Sequence, residues 1–159
     1  MRLRWMKKKV LYLSPVLISF LLAGCSLRGG GWIIDSTTGV KQATFGFHAV
    51  CDEFSDEASG SISWHDQAAN IKFYGVINSG QCGAVKEMGG AGIFYGRYTP
   101  QPKALGPEGG DFVLTVMDSG EPGMSSGDEI SIQLHGGPPP YDGYSKGGPL
   151  GGGNIQASE

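Results

Sequence analysis

Hydrophobic and polar residues alternate with a period of two along several short segments of the chain. The clearest segment is 43–51, where one face carries Ala43, Phe45, Phe47, Ala49 and Cys51. Successive side chains of a β-strand point to opposite faces of the sheet. We therefore predict a half-buried strand here, with Cys51 directed into the core.

The same alternation predicts a β-hairpin and several further strands. In the hairpin, residues 112–117 and 130–135 place Phe112, Leu114 and Val116 against Ile130, Ile132 and Leu134. Shorter strands are predicted at 32–34, 61–64, 71–77, 92–98 and 154–156. Glycine, proline, asparagine and aspartate punctuate the segments between them, and no long helical periodicity occurs. The predicted fold class is all-β, with Gly/Pro-rich loops.

The two ends of this region resemble each other. Three glycines precede Trp32-Ile33, and three more precede Asn154-Ile155. We expect the first and last strands to pair, because this pairing would cover an exposed sheet edge. The stretch 136–153 is rich in glycine and proline, and we predict a long excursion in which Tyr141 and Tyr144 are exposed.

The first residues have the parts of an export signal. Residues 1–9 carry five basic side chains and no acidic one, and an apolar run extends from Val10 to Ala23. The run is too short to span a bilayer comfortably, since a spanning helix needs about 20 apolar residues. We assign residues 1–24 to a cleaved signal peptide.

The sequence Leu22-Ala23-Gly24-Cys25 resembles the lipobox of bacterial lipoproteins. The resemblance implies cleavage before Cys25 and attachment of a diacylglyceryl group to its thiol. Each buried methylene adds about 0.8 kcal/mol, so several acyl chains on one residue would anchor the protein firmly. The alternative is an ordinary signal peptide with an incidental cysteine.

This processing would place the protein in the cell envelope, held to a membrane by lipid. Ser26 then favours the outer over the inner membrane if the bacterium is Gram-negative. The expected organisation is a lipidated tether at 25–31 followed by a folded domain at 32–159.

Removal of residues 1–24 leaves 135 of the 159 residues, which suits one domain. Five of the twelve basic residues and none of the fifteen acidic ones are removed, so the mature chain has a formal net charge of −8. Such a surface disfavours nucleic acid and anionic lipid as partners.

With Cys25 assigned to lipid, Cys51 and Cys82 remain as a pair in an oxidising compartment. We predict a disulfide, which closes a loop of about 30 residues and contributes ~3 kcal/mol to stability. The alternative is a catalytic thiol, although no Cys-His motif surrounds either residue.

An acidic loop between the hairpin strands contains Asp118, Glu121 and Asp128. Carboxylates and turned glycine carbonyls are ligands of Ca²⁺, so these residues form a candidate calcium site. The spacing does not match an EF-hand loop, and a solvated connection with side-chain-to-backbone turns is the competing interpretation.

Other chemistry has weaker support. Glu121 with Asp128 could form the carboxylate pair of an envelope hydrolase. His48, His65 and His135 could bind zinc if strands brought them together, but no short ligand spacing supports this, and outward-facing surface histidines are the better explanation. A sugar-stacking platform could draw on six aromatic residues, Trp64, Tyr74, Tyr95, Tyr98, Tyr141 and Tyr144.

Residues from Gly29 to Gln156 resemble, as an ordered set of motifs, a family of small secreted β-domains on surface-anchored proteins. The set comprises Gly-Gly-Gly-Trp-Ile, Lys41 with residues 43–47, Asp111-Phe112, residues 118–123, Asp128 with Ile130, and residues 152–156. The resemblance implies a single β-sandwich of short antiparallel strands.

It also implies a non-catalytic binding or structural module without a required cofactor. The alternatives are a calcium- or glycan-binding surface domain and an envelope hydrolase. Beyond the membrane, an envelope protein or glycan is the expected kind of partner.

Overall fold

The computed structural model describes residues 24–52, 55–85, 88–102, 108–120 and 127–159, and for Val85 the backbone only. Strands make up 71% of these residues, and none of them is helical. The predicted all-β class is therefore confirmed. The strands are β1 (Cys25–Ile34), β2 (Lys41–Cys51), β3 (Ala58–Asp66), β4 (Ile71–Val85), β5 (Gly89–Pro100), β6 (Asp111–Asp118), β7 (Glu129–His135) and β8 (Ser145–Ser158).

The eight strands form one closed barrel in sequence order, so the predicted β-sandwich is wrong. Every neighbouring pair is antiparallel, and β1 pairs with both β2 and β8. A sandwich keeps two sheets with free edges, whereas pairing of the first strand with the last removes the edges. The expected pairing of the terminal strands is confirmed, with Gly29 opposite Ile155.

The predicted tether at 25–31 is also wrong, because these residues form most of β1. Ser26 lies opposite Val50 on one side and Ser158 on the other, and its hydroxyl is 2.7 Å from that of Ser158. Leu27 is fully buried. The alternation of Leu27 with Ser26 and Arg28 continues the strand pattern toward the N-terminus, and the glycines at 29–31 conceal it.

The barrel interior is filled with apolar and aromatic side chains from every strand. The alternating faces predicted for 43–51 and 71–77 point inward as expected. Glycines make room for the largest groups: a Cβ on Gly75 or Gly96 would lie 2.6 or 2.7 Å from the Phe112 ring. Close packing of this kind keeps the interior solid.

The predicted excursion at 136–153 is divided between a loop and a strand. Residues 136–144 fold over one end of the barrel, where Tyr141 is 2% exposed and its hydroxyl donates to the Lys72 carbonyl (2.9 Å). Tyr144 donates to Asp66 (2.9 Å). The prediction that both tyrosines are exposed is therefore wrong, since they pack against the core at this end of the barrel.

The glycine-rich residues from 147 onward belong to β8 rather than to a loop. The indole of Trp32 lies over Gly151 and Gly152, where a Cβ would be 2.7 Å from Nε1 and 2.1 Å from Cη2 respectively. The ammonium group of Lys41 lies 5.2 Å from the ring centroid. Glycine is required here because the indole occupies the space of the missing side chains.

Candidate functional site

The barrel has two distinct ends, and Cys25 marks one of them. At this end β1 begins, β8 ends, and the β2–β3, β4–β5 and β6–β7 connections turn. We call it the Cys25 end. The opposite end, which the 136–144 loop covers, is the distal end. The cysteine and acidic residues predicted to form sites, as far as the structure describes them, all lie at the Cys25 end.

Cys25 is the first residue of β1, and its side chain is only 8% exposed. It is a free cysteine in register with Cys51. Burial, with a smaller contribution from the charge of Glu159, raises the pKa of the Cys25 thiol. A buried, protonated thiol is a poor nucleophile. Any acylation of this sulfur therefore has to precede the pairing of β1 into the barrel.

The predicted disulfide between Cys51 and Cys82 is confirmed, with 6.1 Å between the Cα atoms. It joins the end of β2 to β4, strands that β3 separates in the sheet. The Cys82 sulfur lies 3.3 Å from the carbonyl oxygen of Cys25. Since both sulfurs are consumed in the bond, neither is the free thiol that the catalytic alternative requires.

The two aspartates of the candidate calcium site connect β8 to the hairpin. Asp128 is fully buried and accepts the backbone N–H groups of Ser119 (3.0 Å) and Ile155 (2.9 Å). Asp118 accepts those of Gly120 (2.8 Å) and Ala157 (2.7 Å). β7 pairs with β8 only along residues 145–149. Beyond that point, the two carboxylates take the place of the β7–β8 backbone hydrogen bonds toward the end of β8.

These contacts give Asp118 and Asp128 a structural role. Glu121, the third predicted ligand, lies outside the described residues. Within the described ranges, no three His, Cys, Asp or Glu side chains are placed to hold a metal ion. Asp128 is also inaccessible to a glycosidic bond, which removes it from the carboxylate pair of the hydrolase hypothesis.

The histidines are all exposed, on β2, β3 and β7. His48 lies opposite Ser61 and His65 opposite Thr44, so three residue pairs along the ladder separate their rows. His135 lies opposite Asp111 on the far side of the barrel. The strands do not bring the three imidazoles together, as zinc would require.

Two shallow depressions lie on the outer surface. The first, of about 470 Å³, is near the distal end and is lined by 41–44, His65, Gln67 and Ala68. Its Thr44 hydroxyl donates to the backbone carbonyl of His65 (3.4 Å), not to the imidazole. The second, of about 430 Å³, is lined by Arg28, Gly29, Phe47, His48, Asn154 and Gln156.

Sequence reasoning missed the second depression because Arg28 was placed in a tether. The alternation of Ser26, Leu27 and Arg28 was the signal that could have located it. Beside apolar atoms, the first depression offers the polar groups of Lys41, Gln42 and Thr44. The second offers those of Arg28, Asn154 and Gln156. These groups could orient a ligand by hydrogen bonds.

The six candidate stacking aromatics are dispersed. Trp64, Tyr98 and Tyr141 are buried in the barrel, and Tyr144 bonds to Trp64 Nε1 (3.0 Å) as well as Asp66. Only Tyr74 and Tyr95 are substantially exposed, on β4 and β5. Their rows are separated along the strands, since Tyr74 pairs with Thr99 and Tyr95 with Ser79.

The apolar run at 10–23, predicted to be part of a signal peptide, lies outside the described residues. In the described part of the chain, no helix has the length and apolar character needed to cross a bilayer. Comparison of the chain with protein-family models, with curated proteins and with solved structures returned no match. The function is therefore argued from the positions and contacts of individual residues.

Proposed function

We propose that the protein is a cell-envelope lipoprotein, anchored through acylated Cys25, whose barrel acts as a non-catalytic binding or structural module. The observation that carries the proposal is the position of Cys25. It follows directly on Leu22-Ala23-Gly24 and is the first residue of the first strand, at the rim of the folded domain. Removal of everything before it leaves all eight strands intact.

The barrel supports the accessory role through its packing. Fully buried side chains fill its interior, among them Trp64, Phe73, Phe94 and Phe112. The interior of a small barrel filled in this way serves as a hydrophobic core. The polar depressions lie on the outside, where a partner can reach them. A rigid body that presents its outer surface from a membrane anchor suits binding or scaffolding.

The test is expression of the full precursor in a bacterium with lipoprotein processing. We expect an N-terminal peptide that begins at Cys25 and carries the mass of the acyl groups, and a protein that sediments with membranes. Cys25→Ser should abolish acylation and release the domain from the membrane fraction. The matched control is Cys51→Ala with Cys82→Ala, which removes the other two cysteines and should leave membrane attachment intact.

A mature protein that begins at another residue, or a wild-type chain that is unacylated and free of the membrane, would contradict the proposal. Loss of attachment in the disulfide control, with acylation retained, would assign anchoring to the folded domain instead of the lipid.

A further inference from the structure

Because β1 is paired from its first residues, no flexible segment separates the proposed acylation site from the barrel. A free segment over 25–31 could hold the barrel up to about 24 Å from the bilayer. Instead, Ser26 is already paired with Val50 and Ser158. Only Cys25 has to turn out of the barrel for its thioether to enter the lipid. The Cys25 end of the barrel must then lie at the membrane surface.

Among the residues that the structure describes at this end, three large apolar side chains are exposed to water. Met88, in the turn between β4 and β5, is 69% exposed and is the most exposed large apolar residue that the structure describes. Met117 is 48% exposed, one residue before the end of β6, and Val50 is 39% exposed, beside Ser26.

We propose that the Cys25 end docks on the lipid bilayer, with Met88, Met117 and Val50 entering the boundary between headgroups and acyl chains. This inference rests on the acylation of Cys25 proposed above. The anchor makes the contact intramolecular, so even a small apolar surface is held at high effective concentration against the lipid. Methionine side chains are flexible and adapt to such a surface.

Acidic groups at the same end limit how deeply the barrel can enter. Asp56, Glu57 and Glu159 are exposed there. Isolated carboxylates remain in water because their transfer to hydrocarbon is strongly unfavourable. The barrel therefore rests at headgroup level, and only the methionine and valine side chains reach the apolar boundary.

The two methionines allow a test without a label. The acylated full-length product, reconstituted in phosphatidylcholine vesicles, is treated with a water-soluble oxidant that does not enter the bilayer, and sulfoxide formation is followed at each methionine by mass spectrometry. The lipid-free reference is Cys25→Ser. The internal control is Val40→Met in both proteins, because Val40 is 60% exposed in the β1–β2 turn at the distal end.

On vesicles, we expect Met88 and Met117 to oxidise several-fold more slowly than in the lipid-free reference, while the methionine introduced by Val40→Met oxidises at the same rate in both. Equal rates at all three positions in protein that is acylated and vesicle-bound would overturn the docking proposal and leave the anchor intact. Protein that is never acylated would overturn both proposals, and the mass of the N-terminal peptide distinguishes the two outcomes.

Discussion

Asp128 shows at the scale of one residue how this barrel holds its last strand. Its carboxylate is fully buried and accepts one N–H from the β6–β7 connection and one from β8. Hydrogen bonds to a charged acceptor contribute more than neutral ones, about 1.5–3 kcal/mol each. The acidic residue that the sequence singled out therefore does bind other groups, but these include a backbone amide of a strand distant in sequence and not a metal ligand set.

Asp128→Ala should lower the free energy of unfolding by about 2–4 kcal/mol, because the buried N–H of Ile155 and the partly buried N–H of Ser119 lose their acceptor. Denaturant unfolding measures the change. The matched control is Asp111→Ala, whose exposed ion pair with Arg97 (3.7 Å) contributes at most about 1 kcal/mol. Equal effects of the two substitutions would show that the Asp128 contacts are not stabilising.

Tyr144 should make the fold sensitive to alkaline conditions. Burial raises the pKa of its phenol above the usual value of 10, and the neighbouring Asp66 adds to the shift. Below pH 10 the phenol is neutral in both states and contributes no pH dependence. Above pH 10 the unfolded chain loses the proton first, so the free energy of unfolding should fall as pH rises.

Tyr144→Phe should flatten this alkaline decline in a series of unfolding curves from pH 9 upward. Part of the slope remains, because burial also raises the pKa of Tyr98. At neutral pH the variant should be less stable by roughly 1–2 kcal/mol, since Trp64 and Asp66 each lose a partner. The exposed Tyr95→Phe is the control, and an identical decline in both variants would refute the role of Tyr144.

At the scale of elements, β8 is the strand that the sequence described least well. Its residues 145–153 contain five glycines and one proline, a composition that normally indicates a loop. The strand forms because neighbouring groups supply what it lacks: Trp32 covers Gly151 and Gly152, and the aspartate carboxylates accept its N–H groups. Both contributions come from residues far away in sequence, so local composition cannot reveal them.

Gly152→Ala should displace the Trp32 indole, because the new Cβ would lie 2.1 Å from the ring. A chain that begins at Cys25 contains only Trp32 and the buried Trp64, so its tryptophan fluorescence should shift to the red as Trp32 enters water. Gly83→Ala on β4 is the control, since nothing lies within 4 Å of its Cβ position. An unshifted spectrum for Gly152→Ala would contradict the packing of Trp32 over β8.

The alternation of apolar residues predicted the inward faces of β2, β3, β4, β6 and β7 correctly, because period two is a local property of a strand. Barrel closure depends on how many strands there are and which ones pair. The pairing of the terminal strands was expected, but the sandwich was only what the resemblance to small secreted β-domains implied. The burial of Tyr141 and Tyr144 was missed because the 136–144 loop folds back on strands from other parts of the chain.

At the scale of the whole molecule, the candidate site could be predicted only in part. The confirmed Cys51–Cys82 pairing was predicted from cysteine number, which a sequence displays directly. The acylation of Cys25 depends on a short motif and stays a prediction. The apolar rim of Val50, Met88 and Met117 depends on which strand ends meet at one end of the barrel. That arrangement exists only once the sheet has closed.

If Cys25 carries the proposed lipid anchor, the full-length pairing of β1 also sets the height of the molecule above the membrane. A strand of about ten residues rises roughly 3.3 Å per residue and tilts by 35–45° in a barrel, so the body is about 25–30 Å tall. Because no flexible segment separates Cys25 from the barrel, the depression around Lys41 and His65 is held at that height above the bilayer and cannot extend farther. With that anchor, a ligand or protein fixed farther from the membrane would stay out of reach, and any partner would have to approach the lipid itself.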